Sequence, residues 1–265
     1  MADPAMPSLD PIDRLAPGVR PDRPVLMYQK WRSLLFLHWA VDPEAIRPLV
    51  PEGLDLDLYE GRAYVGLVLF TMLGVRPRGM PAIPGLSTFH ETNVRTYVRA
   101  GRQNPGVWFF SLDAANSVAV VLARALFSLP YHRARMSLKS GRDLDPQNPT
   151  KWEVSYTSSR LWPGPLPAYC NITARLDGDP PVTATPDTLD HFLIERYHLF
   201  RNRHGRLYSG QVHHKPYPIQ NAEVLVMNES LLAASGLTRP DCSPLAHFSS
   251  GVDVEIFSLG NSAAL

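Results

Sequence analysis

The chain has 265 residues, 45% of them hydrophobic and 19% charged, which is the composition of a globular protein with a sizeable core. Lys and Arg total 26 against 25 Asp and Glu, a formal charge of +1, so no global field draws the chain to nucleic acid or to an anionic membrane. The two cysteines, Cys170 and Cys242, lie far apart with no C-x-x-C pair for zinc or redox work, and whether they pair with each other is open.

Residues 1–23 carry acidic side chains and prolines where a signal peptide needs a basic start and an unbroken apolar stretch. They read as an extended arm ahead of a single domain at 24–265. The longest apolar run, 117–123, is far shorter than the roughly 20 residues that cross a bilayer, so a cytoplasmic protein is expected. The 26 Pro and 17 Gly are spread evenly and cut the chain into short elements, as in an antiparallel β protein. Strands are expected at 33–39, 54–59, 62–70, 88–99, 107–112, 133–138, 152–159, 171–176, 207–213, 222–227 and 252–259, from β-branched or aromatic content between turn residues. Tyr59-Glu60-Gly61-Arg62 reads as a tight hairpin turn.

Two segments read as helices. Residues 117–127 are nearly all apolar, and a helix with so little polar face must be buried by surrounding sheet. Residues 185–200 carry Leu189, Phe192, Leu193, Tyr197 and Phe200 at a 3.6-residue period after Thr185-Pro186, which predicts a longer peripheral helix. On it His191, Glu195 and His198 fall on a solvated face. A short helix is expected at 230–234.

The strand at 88–99 carries the densest chemistry. Its period of two puts Phe89, Glu91, Asn93, Arg95, Tyr97 and Arg99 on one face and His90, Thr92, Val94, Thr96 and Val98 on the other. The first row must meet either bulk water, with surface ion pairs, or a polar cavity in which Glu91 and Arg95 hold an acidic ligand. After the apolar helix, Tyr131 and His132 precede Arg133 and Arg135; His132 is a proton carrier in one reading and a junction hydrogen bonder in the other. His213 and His214 end another strand and point to opposite faces, so they do not chelate one metal, and one of them looks inward. Glu255, on one face of the last strand with Asp253 and Phe257, is a weaker candidate. No G-x-G-x-x-G, P-loop or G-x-S-x-G motif occurs, and neither cofactor nor metal is expected.

Several segments together resemble a known family: Trp31 with Leu35-Phe36-Leu37-His38-Trp39, Val50-Pro51-Glu52-Gly53-Leu54, Phe89-His90-Glu91-Thr92-Asn93-Val94-Arg95-Thr96-Tyr97, Phe110-Ser111-Leu112-Asp113-Ala114, Leu129-Pro130-Tyr131, and His213-His214-Lys215-Pro216-Tyr217-Pro218. They look like the YqjF-like (DUF2071) family of uncharacterised bacterial proteins over residues 24–259. That family in turn resembles acetoacetate decarboxylase, which implies a mainly β fold, a closed antiparallel β-barrel or cone around an internal cavity, with a buried helix and a longer peripheral one.

The same resemblance puts Glu91 at the place of a cavity carboxylate. Tyr131 and His132 stand where the decarboxylase has its two lysines, and neither side chain forms an imine. Val65 and Gly66 stand where it has a second carboxylate. The expectation is an enzyme acting on a small organic acid or carbonyl compound without Schiff-base chemistry. In it Glu91, Tyr131 and His132 are catalytic, and Arg95, His213 and Asn93 bind the substrate. The alternative is a non-catalytic small-molecule binding or sensing protein. Edge strands make a homodimer the default assembly.

Overall fold

The computed structural model describes residues 12–101, 103–142, 152–176, 178–258 and 260–261; the first eleven residues of the expected arm lie outside them. Among the described residues thirteen strands form one sheet: β1 Val25–Val41, β2 Asp55–Leu56, β3 Ala63–Pro77, β4 Phe89–Ala100, β5 Gln103–Ala114, β6 Tyr131–Arg142, β7 Trp152–Trp162, β8 Tyr169–Leu176, β9 His198–Arg203, β10 Arg206–His213, β11 Ile219–Glu229, β12 Leu245–Phe257 and β13 Gly260–Asn261. Four α-helices accompany them: α1 Pro43–Ile46, α2 Ser117–Phe127, α3 Leu189–Ile194 and α4 Leu231–Ala234. None of these is long and apolar enough to cross a membrane.

The strand order is β13-β10-β9-β5-β6-β7-β8-β11-β12-β1-β3-β4-β2, with further pairings β10–β12 and β4–β5. The expected closed antiparallel barrel is therefore not what forms. The order ends at β13 and β2, the sheet branches where β5 and β12 each meet more than two neighbours, and β5 runs parallel to both β6 and β9. Parallel neighbours need a crossover connection, and α2 is that connection between β5 and β6.

Alternation along the strands builds two cores on opposite faces of β1, β3 and β4. Leu35, Leu37 and Trp39 of β1, Val65, Leu67 and Leu69 of β3, and Val94 and Val98 of β4 pack with Val154, Ile172, Ala174 and Phe248. Leu34 and Phe36, Tyr64, Val68 and Phe70, and Phe89 and Tyr97 pack on the other side with Phe192, Leu193 and Ile194 of α3. The hairpin at Tyr59–Arg62 forms as read: the two residues exchange backbone hydrogen bonds, and Glu60 and Gly61 both take positive φ.

The short helix expected at 230–234 forms as α4, and the other two helix expectations need correction. Crossing between adjacent strands, α2 has sheet on one side; Val120 is buried while Val118, Val121 and Leu122 are exposed. The segment 185–200 is not a long peripheral helix. Asp187 takes positive φ, Thr188 caps a helix of six residues, Glu195 turns extended, and the chain continues as β9. Paired with β5 and β10, β9 gains a ladder on both sides, which outweighs the helical periodicity of its sequence. His191, Glu195 and His198 are accordingly buried, not solvated. Cys170 and Cys242 are both free thiols.

Candidate functional site

Neither face of β4 meets bulk water at its centre. Glu91 is 2% exposed, Asn93 4%, Arg95 9% and Tyr97 1%, on the face that packs toward α3. The register explains what joins them. Asn93 lies opposite Leu112 of β5, Leu112 lies beside Tyr131 of the parallel strand β6, and all three side chains point the same way. The Tyr131 hydroxyl consequently reaches across β5 and donates to Glu91 Oε2 at 2.8 Å.

Burial pushes the Glu91 carboxyl up to about 8. Hydrogen bonds from Tyr131 and Asn93 oppose the rise, and the charge of Asp113 adds to it. Glu91 is thus largely protonated at neutral pH. Burial, with the Glu91 carboxyl close by, holds the Tyr131 hydroxyl well above the usual phenol range.

Further along the same face Arg95 donates to the Leu193 carbonyl at 3.2 Å, and its guanidinium lies over the rings of Phe36 (5.8 Å) and Tyr97 (5.7 Å). Tyr97 donates to the same carbonyl at 2.7 Å. His38 of β1 is fully buried, with its ring stacked 6.3 Å from that of Phe36. Burial first, and then the charge of Arg95, hold it neutral. Gly66 lies between the two: a Cβ there would sit 3.1 Å from His38 Cδ2 and 3.4 Å from Arg95 Cγ.

His214 stacks on Tyr197 (4.6 Å), meets the tilted ring of Tyr217 (4.5 Å) and donates from Nδ1 to the Lys215 carbonyl at 2.8 Å. Burial lowers it to about 4, against backbone hydrogen bonds to Lys215 and Arg196 that raise it, so it is neutral. On this face Asn93 Oδ1, Arg95 Nε and both ring nitrogens of His38 have no protein hydrogen-bond partner. Buried polar atoms normally have one.

The structure thus brings Glu91, Asn93, Arg95 and Tyr131 to one face. It places His132 on the opposite face, beside Asp113, where Nδ1 donates to the Pro163 carbonyl at 2.8 Å and burial lowers the ring to about 4. His213 turns outward beside Glu255, with Nδ1 3.2 Å from the Gly18 carbonyl; its neighbour His214 is the inward histidine. Glu255 pairs with Arg20 at 2.6 Å on the surface, and Asp253 pairs with Arg32. Lys30, Lys139 and Lys215, the lysines among the described residues, are all exposed. No group of three potential metal ligands occurs among the described residues.

Sequence reasoning gives His38 no role, although a histidine inside the apolar run 34–39, at the parity of Leu34 and Phe36, is the available signal. Asp113 and Arg160 are missed by it as well. A cavity of about 470 Å³ at the start of α2 is lined by Leu86, Phe89, His90, Ala115, Asn116 and Val118, among others. A second, of about 180 Å³, lies near Arg14 and Phe192. Glu91 and Tyr131 line neither, but Phe89 is two residues from Glu91 on the same face, and Ala115 follows Ala114, the partner of Glu91 across the ladder.

A family model described as an uncharacterized conserved protein, DUF2071, matches residues 28–253. The uncharacterized protein YqjF of Bacillus subtilis (strain 168) is 38% identical over 240 residues, covering 90% of this chain and 93% of the relative. Among solved structures, the enduracididine biosynthesis enzyme MppR, complexed with the condensation product of pyruvate and imidazole 4-carboxaldehyde, superposes with a TM-score of 0.61 at 12% identity over 91% of this chain and 90% of its own. An acetoacetate decarboxylase-like enzyme from Sphingomonas wittichii RW1 superposes with a TM-score of 0.60 at 11% identity, covering 90% and 94%. At that identity the likeness is one of fold. The sequence match shows the family: the chain belongs to DUF2071.

Proposed function

We propose that this DUF2071 protein is an enzyme that binds a small organic acid or carbonyl compound against the inward face of β4 and protonates it through Glu91, without an imine. The observation that carries the reading is the Glu91–Tyr131 hydrogen bond, on the same face of β4 as the unpartnered polar atoms of Asn93 and Arg95. An acid neutral up to about pH 8 suits general-acid work near neutrality, and it lets an anionic substrate approach without carboxylate repulsion. Tyr131 orients the Glu91 carboxyl. Four residues separate Glu91 from Arg95, roughly 13 Å at the ordinary strand rise, with Asn93 midway. A molecule of a few carbon atoms over Asn93 is therefore held by Arg95 at its carboxylate and met by Glu91 at its carbonyl. The absence of a lysine at 131 and 132, and the exposure of Lys30, Lys139 and Lys215, support a mechanism with no Schiff base.

The test is a screen of purified protein against 2-oxo, 3-oxo and hydroxy acids in D2O, followed by proton NMR. We expect turnover or deuterium exchange in one class, lost by about 100-fold or more in Glu91→Gln with binding retained, and falling as pH rises through 8. A ligand bound tightly and returned unchanged would favour the binding or sensing alternative. Turnover indifferent to Glu91→Gln would overturn the assignment.

A further inference from the structure

A second polar cluster lies on the opposite face of β4 and β5. Asp113 sits between Thr92 of β4 and His132 of β6, and its Oδ1 accepts from Nε of Arg160 on β7 at 2.8 Å. The two side chains are 1% and 0% exposed. A buried arginine and carboxylate commonly engage fork to fork through two parallel bonds. Here only the Nε bond is made. Asp113 Oδ2 and both Nη1 and Nη2 of Arg160 have no protein partner. Neither do Ser158 Oγ, two residues before Arg160 on the same face of β7, nor Thr92 Oγ1, directly across the ladder from Asp113.

Five buried atoms from four residues on one face thus lack protein partners. Their chemistry defines the complement. Arg160 offers only N–H donors, the Asp113 carboxylate accepts, and the two hydroxyls do either. The ion pair is already neutral, and His132 adds no charge. An added anion would leave a net buried negative charge, and a cation would find the guanidinium facing it. The best-matched guest is neutral and carries a carbonyl oxygen next to an N–H.

We propose that Thr92, Asp113, Ser158 and Arg160 form a binding site for a small neutral carboxamide or urea, separate from the Glu91–Tyr131 face. The carbonyl oxygen accepts from the Arg160 Nη atoms, and the N–H donates to Asp113 Oδ2. Thr92 and Ser158 complete the shell.

The test uses acetamide and its matched anion acetate, titrated at neutral pH into the full chain with arginine side chains labelled with 15N. Acetamide is expected to shift the Arg160 resonances saturably, with acetate at least about tenfold weaker. Ser158→Ala and Thr92→Val, which keep the ion pair and so the fold, should each weaken acetamide several-fold, while Glu91→Gln leaves it unchanged. Tighter binding of acetate would overturn the proposed ligand class. No saturable shift with either probe, the cluster being filled by water only, would overturn the site. Because Glu91→Gln is a control here and the decisive variant for turnover, failure of one proposal is distinguishable from failure of the other.

Discussion

Replacing Glu91 by glutamine should change how stability depends on pH in a way that isolates this one carboxyl. Folding raises Glu91 from 4.5 to about 8, so the native state binds the proton more tightly than the unfolded state does. The stabilisation from that proton is fully present below the unfolded value and is lost as pH rises through 8. At about 1.4 kcal/mol per unit, the whole interval is worth about 5 kcal/mol. Much of it overlaps with other groups. Asp113, raised to about 6, acts in the same sense but is exhausted near that pH. His132, His198 and His214, lowered to about 4, act in the opposite sense: their contribution holds above the unfolded value near 6.5 and is lost as pH falls through 4. Between pH 6.5 and 8.5 Asp113 is spent, each of these histidines still adds about 0.4 kcal/mol as its unfolded form loses its proton, and Glu91 accounts for a loss of about 2 kcal/mol. The glutamine of the Glu91→Gln variant would keep the contact with Tyr131 and would not titrate. Chemical denaturation of both proteins at the two pH values should show the wild type losing about 2 kcal/mol relative to Glu91→Gln. Taking the difference cancels every other group common to both. Parallel profiles would refute the claim that Glu91 is held protonated by burial.

Tyr131→Phe removes the hydrogen bond to Glu91 and should cost about 1–2 kcal/mol in denaturant unfolding. Because that bond favours the charged carboxylate, its loss should also move the alkaline fall in stability above pH 8. Asp113→Ala leaves the Arg160 charge buried without its partner and should destabilise by about 3–5 kcal/mol. Asp113→Leu combined with Arg160→Met should recover most of that loss, as a double-mutant cycle would report. Gly106→Ala puts a Cβ 2.6 Å from the His198 carbonyl oxygen, pressing β9 away from β5. The expected cost is about 1–3 kcal/mol, with faster amide exchange concentrated at 198–203.

Strand positions were the readable part of the fold, because alternation and turn residues are local signals. Each of the eleven expected strands overlaps an observed one, β2 being only Asp55–Leu56, and the Tyr59–Arg62 turn carries its own chemistry in Gly61. What failed was everything decided by partners distant in sequence. β9 has the apolar spacing of a helix and becomes a strand because β5 and β10 lie on either side of it. The apolar composition of α2 argued for burial, yet a crossover between adjacent parallel strands is covered on one side only, which leaves Val121 and Leu122 exposed. The closed antiparallel barrel, which the family resemblance implied, fails too: β5 pairs in parallel with two strands, an arrangement that strand periodicity gives no means to check.

The candidate site shows where period-two reasoning stops. It correctly separates Glu91, Asn93 and Arg95 from Thr92, but it assumes that one face of a strand meets the core and the other meets water or a cavity. Here β4 is buried on both faces, so its parity yields two interior polar clusters, one around Glu91 and one around Asp113. Parity carries the same rule into β6, where adjacent Tyr131 and His132 must part, one to each cluster. Adjacent in sequence, the two residues therefore cannot act on one substrate atom from their strand positions. That is why Tyr131 belongs with Glu91, while His132 belongs with the Asp113–Arg160 pair behind it.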